Sequence, residues 1–222
     1  ISSALIGCGD KSPEQHIESA QQYIQLKDDA AAVIELKSAI QQAPDNAQAR
    51  VLLGRIYLKI GEGVAADKEL TRALKNGAKL TDIAVDVARA AYLSGVSPSV
   101  SLNVDIADAS NSNEFIKFYS LLTRFDNGEL NNLATEFAAF SQETKNDATK
   151  NAANAVLSLL NQQNAKAISH LQQINADSPI YWDSQLLLAK AQLTDGLFKE
   201  AITTLKGYVA IATSANFAKL ML

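Results

Sequence analysis

Apolar positions in this 222-residue chain follow helical rather than strand spacing. Ala32, Leu36 and Ala39 fall three or four residues apart, with Glu35, Lys37 and Ser38 between them. The same spacing returns 34 residues later as Ala66, Leu70 and Ala73. Other positions move with them: Ala20 becomes Gly54, Tyr23 becomes Tyr57 and Pro44 becomes Ala78. The beat comes back near the end as Leu188, Ala189, Gly196, Phe198, Ala201, Leu205 and Tyr208. Another copy, with Ala155, Ala167, Leu171 and Ile174, closes at Pro179. Filling the intervals at this period predicts units over 13–46, 47–80, 81–113, 114–147, 148–181 and 182–215, and the start of a further helix over 216–222. The third unit keeps Ala88, Ala91 and Gly95, and Pro98 opens its second helix, where proline is tolerated. The fourth keeps Gly128, Leu133 and Phe137, in a register that the pattern leaves open by one residue.

Each unit predicts two antiparallel amphipathic helices of about 12 to 15 residues. Small residues at Ala20, Ala32, Gly54, Ala66, Ala189 and Ala201 let paired helices approach, and large ones such as Tyr23 and Tyr57 fill the space beside them. One pair cannot bury its apolar stripe alone, so neighbours must stack, and the chain has no single core. Leu53-Gly54-x-x-Tyr57 resembles the tetratricopeptide repeat (TPR) pattern. That resemblance implies an all-α fold, a right-handed α-solenoid of about six helix-turn-helix repeats.

Composition narrows the chemistry. Hydrophobic residues make up 47% of the chain and charged residues 20%, which excludes both disorder and a membrane-spanning bundle. A net charge of −4 supplies no basic face for phosphates, so no nucleic-acid partner is expected. One Cys and two His exclude a disulfide framework and a multi-cysteine zinc site. His16 and His170 lie in different units without a neighbouring ligand at metal spacing, so no metal and no cofactor are expected. Phosphate-binding loops and nucleophile elbows are missing from the sequence, and the chain reads as non-catalytic.

The opening, Ile1 to Cys8, is apolar and uncharged, and polar sequence follows at once. It reads as the end of a signal peptide over 1–7, followed by a tether over 8–12 and the solenoid over 13–222. Leu5-Ile6-Gly7-Cys8 resembles the bacterial lipobox, in which cleavage precedes the cysteine and its sulfur carries lipid. The competing reading is an incidental lone cysteine. Lipid on Cys8 would hold the chain to a membrane through acyl chains only. Gly9 stands where an Asp would oppose transfer, so the resemblance to Gram-negative lipoproteins implies the periplasmic face of the outer membrane.

A lipobox followed by Ala30-Ala-Ala-Val-Ile-Glu-Leu-Lys37-Ser-Ala-Ile and Ala43-Pro-Asp-Asn-Ala-Gln-Ala-Arg50 resembles the TPR lipoproteins of PEP-CTERM systems. The likeness covers about residues 8–75 and is generic beyond them. It implies a scaffold for protein–protein interactions in exopolysaccharide-associated protein export and sorting. Two rival assignments are a lipoprotein of pilus assembly or polysaccharide secretion, and a targeting module of a larger enzyme.

In arrays of this kind the first helix of each unit lines the binding groove. One inward row then reads Gln21, Arg55, Arg89, Leu122, Val156 and Lys190, and a second reads Ile24, Leu58, Tyr92, Phe125, Leu159 and Leu193. Arg55, Arg89, Tyr92, Phe115, Phe118 and Phe125 are therefore the expected contacts for a protein or peptide partner. The competing reading gives the arginines to nearby acids and the three phenylalanines to the core between repeats.

Overall fold

The computed structural model describes residues 11–97 and 114–211, and among these every regular element is a helix. First helices of successive units are α1 (Pro13–Gln25), α3 (Ala47–Lys59), α5 (Leu80–Leu93), α6 (Glu114–Asp126), α8 (Asp147–Leu160) and α10 (Tyr181–Thr194). Second helices are α2 (Asp29–Gln42), α4 (Gly63–Lys75), α7 (Leu133–Glu143), α9 (Asn164–Leu171) and α11 (Phe198–Ile211). Helices pair within a unit and then pack on the next unit, which makes an α-solenoid of helix-turn-helix repeats. The signal remnant over 1–7, Cys8 and most of its tether, Pro98, and the helix expected over 216–222 lie outside the described residues.

Local chemistry explains where the helices begin. Pro13 opens α1 behind a capping box, in which the Ser12 hydroxyl and the Gln15 side chain each accept from the other's backbone N–H. Asp28, Asn46 and Asn146 cap α2, α3 and α8 in the simpler way, each accepting from an N–H of the first turn. The turns between first and second helices repeat too. A left-handed residue recurs at Lys27, Gly61, Gly95, Gly128, Gln162 and Gly196, and the N–H after each returns to a carbonyl five residues back. This is the Schellman ending, which glycine enters without the steric cost that Lys27 and Gln162 bear. Helix α9 is only eight residues long, shorter than the helical period predicts, because Asn175, Asp177 and Pro179 favour turns.

Packing follows the small residues. Ala20, Ala32, Gly54, Ala66, Ala189 and Ala201 are all buried, whereas Tyr23 and Tyr57 are half-buried beside them. Pro44 is exposed, and it contributes through its carbonyl. Arg50 donates to that carbonyl from Nε (2.9 Å) and Nη2 (2.6 Å), and its Nη1 pairs with the buried Glu69. Phe198, part of the repeating set, is 62% exposed and belongs to no core. The largest apolar cluster runs from α5 to α10 and contains Phe118, Tyr119, Phe137 and Phe140.

Two glycines allow close approaches, with different tolerances. A Cβ on Gly54 would stand 2.7 Å from the Leu70 side chain, which has some freedom to turn away. A Cβ on Gly63 would stand 2.5 Å from the backbone carbonyl carbon of Leu93, which has none. Gly63→Ala should therefore cost about 1–3 kcal/mol of stability, and Gly54→Ala less. Chemical denaturation followed by far-ultraviolet circular dichroism measures both. The reverse order would mean that α4 and α5 do not meet as described.

Candidate functional site

First helices touch first helices along the array, as α3 does α5 and α8 does α10, so together they form one continuous face. That face curls on itself. Arg89 on α5 donates from Nε to Asp183 Oδ2 on α10 at 2.7 Å, across 94 residues of sequence. Tyr119 on α6 donates to the same oxygen at 2.6 Å. Asp183 is 1% exposed, and its other oxygen has no partner among the described residues. A second bridge lies beside the first: Tyr92 and Lys190 both donate to Asp126, at 2.8 and 2.7 Å. The third unit is thus stapled to the sixth by side chains.

Burial and charge act together here. Burial alone would lower the Arg89 guanidinium, but the Asp183 carboxylate and the neighbouring Tyr119 raise it well above its ordinary value. Burial and then the charge of Asp183 raise the Tyr119 phenol strongly, and burial and Asp126 do the same for Tyr92. Tyr208 is pushed up to about 12, first by burial and then by Asp183, with Arg89 opposing. All three phenols therefore remain hydrogen-bond donors at any ordinary pH.

The six residues expected to form one groove are distributed among three places. Arg55 and Arg89 do come together, as linings of a cleft of about 250 Å³ with Lys59, Asp86, Trp182 and Tyr208. Phe125 faces a different groove of about 480 Å³, with Leu159, Leu193 and the Asp126–Lys190 pair. Phe118 is a correction: it is 1% exposed, stacked on Phe140 at 6.0 Å and edge-on to Tyr119 at 5.3 Å. It holds units together and cannot meet a partner. Phe115 and Tyr92 are half-buried and packed against the same core. Leu122 and Val156, from the expected inward row, are fully buried as well. Their side of the face is closed because the staples draw α5, α6 and α10 together.

Another open stretch of the face lies toward the first units. Gln21, Gln48, Val51, Leu52, Arg55 and Ile83, from α1, α3 and α5, surround a groove of about 390 Å³. Its floor is apolar and its rim carries Gln21, Gln48, Lys79 and Asp82. Arg55 stands on the ridge between this groove and the cleft, 47% exposed at its side chain and paired to Asp86 at 2.8 Å. The inward rows find Gln21 and Arg55 but miss Asp183, Tyr119, Trp182 and Tyr208. One signal was available: Asp183 occupies a slot that holds Phe115 and the buried Thr149 in the two preceding units. An acid in a buried slot needs a buried counter-ion.

Among the described residues no group of three or more His, Cys, Asp or Glu is placed to hold a metal ion, and no helix is long and apolar enough to cross a membrane. His16 bonds Glu35 at 2.5 Å, and His170 keeps a buried Nδ1 without a partner among the described residues. Lys11 and His16 hold the Glu35 carboxyl below the usual carboxylate range by hydrogen bonding. The Arg89–Asp183 pair is the feature whose loss should be felt most. Asp183→Asn removes the buried half of the pair, leaves the half-buried Arg89 without its counter-charge and should cost about 3–5 kcal/mol. Replacing both by apolar residues, Arg89→Met with Asp183→Leu, should recover much of that loss. A single substitution costing less than about 1 kcal/mol in denaturant melts would place the pair in solvent instead.

The tetratricopeptide repeat family model matches residues 18–91 and 158–221, more than half of the chain. No curated protein matches, and neither does any solved structure. Stacked helix pairs, with the same turn at each first-to-second junction, agree with that match. The chain belongs to the tetratricopeptide repeat family.

Proposed function

We propose that this chain is a non-catalytic scaffold that holds a protein or peptide partner on the open first-helix groove of its first three units. Tetratricopeptide repeats are generally protein-interaction modules. The observation that carries the reading is the contrast along one face. Between α1, α3 and α5 the face is open, with an apolar floor of Val51, Leu52 and Ile83, whereas between the third and sixth units it is already bridged by the Arg89–Asp183 and Lys190–Asp126 pairs. An apolar floor with an amide and charged rim is the usual anatomy of a partner-binding surface. Side chains of an extended segment or a short helix would take the floor. Gln21 and Gln48 would take backbone groups of that segment.

The setting we propose is the periplasmic face of a bacterial outer membrane, with lipid on Cys8 as the anchor. Leu5-Ile6-Gly7-Cys8 and Gly9 support it. The phrase from Ala30 to Ile40 and its continuation to Arg50 support a place among PEP-CTERM lipoproteins, in exopolysaccharide-associated export and sorting.

Two measurements check these readings separately. A photo-crosslinking residue at exposed Gln48 should form an adduct in cells that Leu52→Glu abolishes, and one at exposed Lys206 on α11 should not. Equal adducts from both positions, or indifference to Leu52→Glu, would remove the groove from the binding surface. For the anchor, Cys8→Ser in the full precursor should abolish palmitate labelling. Unchanged labelling would sink the lipid assignment.

A further inference from the structure

Three cations converge on the cleft beyond Arg55, and each already has its own carboxylate. Arg55 pairs with Asp86 at 2.8 Å, Lys59 with Asp29 at 2.7 Å and Arg89 with Asp183 at 2.7 Å. A ligand carboxylate or phosphate would meet little uncompensated positive charge and would have to compete with an acid already in place. What the cleft offers instead is a set of neutralised, directional hydrogen-bonding groups. Each guanidinium commits its Nε to a carboxylate, and the terminal nitrogens of Arg89 donate to no described residue. Asp86 lines the wall as an acceptor, and the Tyr208 hydroxyl has no hydrogen-bond partner among the described residues. The indole of Trp182 lines the same cleft, half-buried and packed edge-on with Tyr181 at 4.9 Å and Tyr208 at 6.3 Å.

We propose that this cleft is a binding site for a neutral saccharide. A pyranose ring has one face of polarised C–H groups, which the negative face of an aromatic ring attracts. Its rim of hydroxyls both donates and accepts, so it needs acceptors such as Asp86 beside donors such as Arg89 and Tyr208. Planar guanidinium and carboxylate groups locked in ion pairs are already oriented, so little side-chain freedom is lost on binding. The volume, about 250 Å³, holds a single ring while the chain of sugars continues into solvent. The site is separate from the peptide groove, with which it shares only Arg55.

Trp182 is the only tryptophan in the chain, so its emission reports on this cleft alone. The full 222-residue chain is titrated with neutral tetrasaccharides (β-glucan, α-glucan, mannan and N-acetylglucosamine) beside a galacturonate tetrasaccharide and an acidic peptide. At least one neutral sugar should shift the emission saturably, with an affinity that changes less than about twofold between low and high salt. Tyr208→Phe should weaken that binding roughly 3- to 10-fold without changing helicity or melting, and Trp182→Ala, followed by calorimetry, should abolish it. Leu52→Glu in the peptide groove should leave it unchanged. The proposal is overturned if no neutral sugar shifts the emission at millimolar concentration. It is equally overturned if only galacturonate or the peptide does so and high salt removes the effect, or if Tyr208→Phe binds like the parent.

Discussion

A pair of helices 13 or 14 residues long leaves half of its apolar stripe facing water, and only another pair can cover it. Much of this structure follows from that constraint. It demands amphipathic helices, small residues where they cross, and a turn that returns the chain at the same angle each time. The left-handed position that recurs from Lys27 to Gly196 is where the demand is most visible. Two of its six occupants are not glycine, so the turn geometry prevails over the local preference of Lys27 and Gln162.

Stacking alone would leave the first-helix face open along its whole length. The Arg89–Asp183–Tyr119 network prevents that. It brings together three helices whose sequences lie far apart and withdraws their inner side chains from solvent. Desolvating these charges is tolerable because the ion pair, the phenol and the surrounding aromatic packing are in place together. The consequence is functional. One face of a repeating scaffold is divided into a groove with an apolar floor, a small cleft lined by Arg55, Arg89 and Trp182, and a mixed groove around Phe125 and the Asp126–Lys190 pair.

This division limits how much could be read in advance. The repeat period, the helical class, the small contact residues and the inward direction of Gln21, Arg55 and Arg89 were legible, because each is a local property that recurs every 33 or 34 residues. Phe118 was misplaced because a one-residue register difference on a helix moves a side chain by about 100°, and the fourth unit carries the weakest pattern. Gly63 was passed over in favour of Gly54 because the latter sits in a recognisable motif, whereas the former matters only through the backbone of Leu93.

By itself the sequence determined which segments are helical, how often they repeat and which stripe of each is buried, since these depend on neighbours within one or two turns. Which first-helix residues remain accessible was decided by the tertiary structure. Arg55 and Arg89 are equivalent in the repeat, yet one stands on an exposed ridge and the other is half-buried against Asp183. That difference arises from how far the array curls over three units, a sum of small angles that no single repeat encodes. Ion pairing and aromatic contact between distant units set the final value.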